Sequence, residues 1–93
     1  MVKNLSNLKT AYLLVAHGSR DPRPQKDLRK LANLVSQYLQ ENGQDTYFPL
    51  VDIATLEFSS VSFSQTMINF AEIAYSQGYK QIKIIPLFLS AGV

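Results

Sequence analysis

Leu13-Leu14-Val15-Ala16-His17-Gly18-Ser19-Arg20-Asp21-Pro22 sets the architecture of the whole chain. The apolar run Ala11 to Ala16 stops abruptly at the only histidine, and glycine, serine and arginine follow at once. A helical pattern then begins near Pro22 to Pro24. This reads as strand, tight turn and helix, with an imidazole at the carboxyl end of the strand. A strand apolar on both faces is the mark of a central parallel strand covered on both sides. In open α/β sheets, the crevice outside such strand ends is where ligands bind.

Working outward, the unit repeats. Asp21 is suited to N-cap the first helix, and proline is tolerated in a first turn, where its missing N–H would lack a partner anyway. Leu28, Leu31, Ala32, Val35 and Leu39 recur at helical spacing and form one buried stripe, and Gly43 is suited to end the helix. The second strand is Leu50 to Ala54 or Thr55, led in by Pro49. Ser62 and Gln65 form an S-x-x-Q capping box for a second helix. Its stripe is Phe63, Met67, Phe70, Ala71 and Ala74, and it ends at Gly78. The third strand is Gln81 to Ile85. The pattern is β-α-β-α-β: one α/β domain over residues 1–93, with a three-layer architecture and a parallel sheet. Right-handed crossovers predict the strand order 2-1-3 with one helix on each face. That order leaves strand 3 as an open edge rich in isoleucine, an aggregation liability unless further chain or a second subunit covers it.

Composition narrows the function. A 93-residue chain hides only roughly 60–65% of the surface its unfolded form exposes, so its stability margin is thin. There are no cysteines, which removes disulfides and thiolate metal sites and leaves imidazole and oxygen ligands. No apolar run approaches the roughly 18 residues of a membrane span, and Met1 to Thr10 is too polar for a signal peptide. A cytoplasmic location with no membrane partner is the expectation. The net charge of +2 is too weak to argue for nucleic acid, although five of the nine basic residues fall between Arg20 and Lys30.

Four features could carry chemistry. A lone histidine at a strand end is as often structural as functional, but His17 is also the natural neutral metal ligand here. Gly18 would let a ligand approach the backbone, and Ser19 stands before the positive end of the first helix. Glu57, just past strand 2, should enter the same crevice, where a carboxylate can share a metal or accept protons. The blander role of a helix-start acid is weak five residues ahead of Ser62. Arg23, Lys26 and Lys30 read as a solvated face, whereas Arg20, in the turn itself, is kept as a ligand contact. Pro86 to Val93 leaves strand 3 and should wall the crevice, with Leu87, Phe88 and Ser90 as candidate substrate contacts. Serine hydrolases need G-x-S-x-G, which is absent. Histidine phosphatases need arginine where Ala16 stands, and one glycine in the turn does not make a nucleotide loop.

Three motifs together resemble the CbiX/SirB group of sirohydrochlorin chelatases: Leu13 to Pro22, Ala54-Thr55-Leu56-Glu57, and Ile84 to Val93 with its PLFL-x-x-G segment. They occur in the family's order and spacing and span almost the whole chain. Val61 is a minor departure, standing where the family commonly has proline. The resemblance implies ATP-independent insertion of Co²⁺ or Fe²⁺ into sirohydrochlorin, on the way to cobalamin or sirohaem. The metal would be a substrate, and no organic cofactor is implied. His17 matches the family's first metal-binding, catalytic histidine, and Glu57 its acidic residue after the second strand. Arg20 and the basic cluster would meet the carboxylates of the substrate. The family's second active-site histidine follows the PLFL-x-x-G-V segment, whereas this sequence stops at Val93, so a truncated or half-size domain is expected. The competing expectation is a non-catalytic tetrapyrrole- or metal-binding remnant acting as an oligomer. A homodimer would bring two copies of His17 together and restore an imidazole pair.

Overall fold

The computed structural model describes residues 9–42 and 49–87. Five elements follow one another: β1 (Thr10–Ala16), α1 (Pro22–Asn42), β2 (Leu50–Thr55), α2 (Phe63–Ser76) and β3 (Gln81–Pro86). They form a three-stranded sheet in the order β2-β1-β3, parallel throughout. The register pairs Ala16 with Thr55 on one side of β1 and Val15 with Pro86 on the other. The carboxyl ends of the three strands therefore lie at one end of the sheet. The expected α/β fold and strand order are both observed.

Alternation along β1 builds two cores. Ala11, Leu13 and Val15 pack with Ala54 of β2 and with Phe70 and Ala74 of α2. Leu14 turns the other way, onto Leu28 and Ala32 of α1, with Val51, Ile53 and Ile85 packed against them. The two helices thus cover opposite faces, as successive right-handed crossovers on either side of a central strand require. A strand buried on both faces favours apolar residues, which explains the run from Ala11 to Ala16; its buried polar residue, Thr10, donates its hydroxyl to Gln81 Oε1 at 3.0 Å. Of the expected α1 stripe, Leu28 and Ala32 are buried, but Leu31 is exposed at 39%. A narrow sheet does not extend far enough under the helix to cover the whole stripe.

The helix ends follow from their capping residues. Asp21 caps α1, accepting the Arg23 amide at 2.9 Å. Ser62 caps α2, its hydroxyl accepting the Gln65 amide at 3.1 Å. The expected capping box is only half formed, because the Gln65 side chain turns forward to donate to Asn69 Oδ1 at 2.8 Å. Ser62→Ala should therefore cost about 1 kcal/mol, the ordinary value for one cap, measurable as a shift in the denaturation midpoint. At the far end Gly78 adopts φ +88°. Its amide donates to Tyr75 O at 3.0 Å, and the Tyr79 amide donates to Ala74 O at 2.9 Å. This paired 5→2 and 6→1 arrangement terminates a helix, with Tyr79 packing beside Ala74 in the same core. The proposed stop at Gly43 lies outside the described residues.

The two outer strands treat their free edges differently. On β2, the Asp52 carboxylate accepts the Ile53 amide at 2.8 Å and the Arg29 guanidinium at 3.2 Å, so a charged pair blunts that edge. β3 runs one residue further than the expected Ile85, to Pro86. The Leu87 amide donates inward to Val15 O at 2.7 Å, which turns the nitrogen of Pro86 toward the open side, where no donor is needed.

Candidate functional site at the strand ends

Beyond the last paired residues, the chain after β1 and the chain after β2 stay hydrogen-bonded. The Leu56 amide donates to Ala16 O at 3.0 Å, and the Glu57 amide donates to His17 O at 2.9 Å. Past the end of the ladder, hydrogen bonding between the two chains thus reaches the two residues expected to carry chemistry. Gly18 makes this possible. It adopts φ +98°, and a Cβ built there would overlap the Glu57 carbonyl oxygen and lie 3.2 Å from Thr55 Cβ. Only glycine permits both that conformation and that approach.

A crevice of about 390 Å³ opens at this end of the sheet. His17, Gly18 and Ser19 line it from the first turn, Glu57 and Phe58 from the second, and Leu87 from the chain after β3. Leu28 and Pro24 of α1 close its side. His17 and Glu57 are both exposed. The crevice is walled mainly by carbon, with a few polar groups at its mouth, the usual composition of a small-molecule site. Phe88 and Ser90, the other two expected contacts on the third wall, lie outside the described residues.

The first turn is held by its own side chains. Ser19 Oγ accepts the Asp21 amide at 3.1 Å, and Asp21 in turn accepts the Arg23 Nε at 2.9 Å. The Arg23 guanidinium and amide hold the Asp21 carboxyl below the usual carboxylate range. Since the native value is the lower one, this contribution is complete above the ordinary carboxylate range and is lost as pH falls through the lowered value. With Arg23 tied to Asp21 and Arg29 to Asp52, part of the basic cluster serves structure. Arg20 does not line the crevice. Its guanidinium centre lies 5.3 Å from the centroid of the Phe58 ring, which does.

Metal-holding capacity here is partial. Among the described residues no group of three or more histidine, cysteine, aspartate or glutamate side chains converges to hold a metal ion. His17 and Glu57 can supply two donors, leaving most of a metal's coordination sphere to other ligands. Among the described residues no helix is long and apolar enough to cross a membrane.

The deciding comparison is with protein families: residues 11–93 match the CbiX model. The chain belongs to the CbiX family. A sirohydrochlorin cobaltochelatase of Methanocaldococcus jannaschii is 36% identical over 83 residues, which covers 89% of this chain and 50% of that one. The crystal structure of a Marinobacter aquaeolei CbiX protein, named for cobalamin (vitamin B12) biosynthesis, superposes with a TM-score of 0.53 and 32% identity. That match covers 89% of this chain and 58% of the other. The CbiX chain described here thus spans about half the length of the curated relative it matches. The described parts of the three motifs quoted from the sequence, Leu13 to Pro22, Ala54 to Glu57 and Ile84 to Leu87, come together at one end of one sheet. Sequence reasoning passed over Phe58, Pro24 and Gln25, which also line the crevice. The adjacency of Phe58 to Glu57 was the available signal.

Proposed function

We propose that this chain takes part in inserting Co²⁺ into sirohydrochlorin, without ATP or an organic cofactor, on the route to cobalamin. The observation that carries the reading is the meeting of His17 and Glu57 at one crevice, on the strand ends of a CbiX-family chain. Metallation exchanges two pyrrole N–H protons for one divalent cation. His17 offers a neutral nitrogen to the incoming metal, which must keep open positions so that pyrrole nitrogens can displace its other ligands. Glu57, across the paired turns, accepts protons as they leave. Ser19, Arg20 and Leu87 contact the macrocycle and its carboxylates, with Gly18 allowing the backbone to come close; Phe88 and Ser90, outside the described residues, are proposed as further substrate contacts. Fe²⁺ is chemically admissible at the same donors and would direct the product to sirohaem. Such a reaction on water-soluble substrates belongs in the cytoplasm.

The test is visible absorbance of sirohydrochlorin mixed with Co²⁺, with and without protein, repeated with Fe²⁺. A metallation rate above the spontaneous one supports the reading. Tight macrocycle binding with no acceleration would overturn it in favour of the binding-only alternative.

We further propose that a second copy of the chain covers the outer edge of β3. Among the described residues no strand pairs with that edge, and Ile82 and Ile84 are exposed at 37% and 43% on the face shared with α2. Burying ~500 Å² of apolar surface there would contribute on the order of 12 kcal/mol gross, much of it offset by lost translational and rotational freedom. A two-fold dimer is the expected form. Sedimentation equilibrium at micromolar concentration should show a dimer for the native chain and a monomer for Ile84→Lys. A native chain that sediments as a monomer would refute the assignment. One Co²⁺ per two chains would indicate a shared site, and one per chain would mean each His17 acts alone.

A further inference from the structure

Phe58 is the only non-glycine residue among those described with a positive φ, +58°. The left-handed region is unfavourable for a bulky side chain, and glycine or asparagine occupies it with far less strain. The local reason for the turn is visible. The chain bends through Leu56, Glu57 and Phe58 after β2, and the hydrogen bonds from the Leu56 and Glu57 amides tie the start of that bend to the β1 turn. The backbone requirement does not, however, explain the aromatic ring. Phe58 is 54% exposed and belongs to neither core cluster, so the ring adds little to folding.

Both unfavourable features belong to a residue that lines the crevice beside Glu57. Arg20, outside the crevice lining, sets its guanidinium 5.3 Å from the ring centroid. A cation placed over an aromatic face restricts where the ring can go. A strained backbone, an exposed ring and a cationic brace therefore act on one side chain at the mouth of a largely apolar crevice. Backbone strain of this kind persists where the surroundings hold it, and it concentrates at ligand sites.

We propose that Phe58 is a substrate-positioning residue: its ring is the platform on which a flat, conjugated macrocycle rests, and Arg20 braces that platform. The guanidinium keeps its N–H edges for a peripheral carboxylate while its face meets the ring. Stacking on Phe58 sets the height of the macrocycle over His17 and Glu57. This inference rests on the tetrapyrrole reading above and adds the residue that orients the substrate.

The experiment measures binding of metal-free sirohydrochlorin by its absorbance shift, alongside the thermal midpoint of each variant. Phe58→Gly relieves the left-handed strain, so it should melt no lower than the native chain while binding roughly tenfold more weakly. Phe58→Tyr keeps the platform and should bind as the native chain does. Phe58→Leu keeps bulk without a π face and should resemble the glycine variant in affinity. Native-like affinity in Phe58→Gly or Phe58→Leu would overturn the assignment while leaving the tetrapyrrole reading intact. No binding by the native chain would overturn that reading, and the platform with it.

Discussion

Gly18→Ala is expected to lower stability by about 2–4 kcal/mol and to dismantle the crevice. Two effects add. The residue is held at φ +98°, where an alanine carries the left-handed penalty of about 1–2 kcal/mol. The new methyl would also overlap the Glu57 carbonyl oxygen, a backbone atom that cannot swing aside as a side-chain tip could. Relief requires the two turns to part, which breaks the 2.9 Å hydrogen bond from the Glu57 amide to His17 O. For a domain of this size a loss of 1 kcal/mol lowers the midpoint by about 4–8 °C. The expected fall is therefore tens of degrees at the upper end, read by circular dichroism on heating. A variant that melts within about 3 °C of the native chain would show that the turns are not in this contact.

His17→Ala is expected to leave the melting curve nearly unchanged while metallation falls by about 10²–10⁴-fold. The fold is expected to tolerate the change because the hydrogen bond that ties residue 17 to the second turn is accepted by its carbonyl oxygen, which alanine keeps. The side chain is exposed at the crevice rather than packed in either core. Co²⁺ titration should show binding by the native chain and its loss in the variant. Glu57→Gln separates the roles, because an amide of the same shape cannot take up a proton: Co²⁺ should still bind at His17 while turnover falls. Equal Co²⁺ binding by His17→Ala and the native chain would remove the imidazole from the mechanism.

Much of this was legible in the sequence because each local signal agreed with the global arrangement. The run from Ala11 to Ala16 specified a strand buried on both faces, and Asp21 and Ser62 marked the helix starts that the structure shows. His17 and Glu57 were readable as neighbours because parallel strands carry their carboxyl ends to the same side. The capping-box partner of Ser62 was overestimated, because the Gln65 amide had an equally short route to Asn69 along the helix surface. Leu31 was assigned to the core on periodicity alone, which records the direction of a side chain and not the width of the sheet beneath it.

The sequence by itself determined the order of elements, the residues lining the paired turns and the family to which they point, since these depend on spacing and residue type along one chain. The tertiary structure decided what those residues touch. That Gly18 is pressed against the Glu57 carbonyl, that Asp52 blunts one sheet edge through Arg29, and that Arg20 faces Phe58 rather than lining the crevice are contacts between segments far apart in the chain. The first and third arise only when the turns that follow β1 and β2 meet, and the second only when α1 packs against β2. A hydrogen bond or a steric overlap acts over a few ångströms, and no pattern of residues along a strand reports which atoms another strand will place within that range.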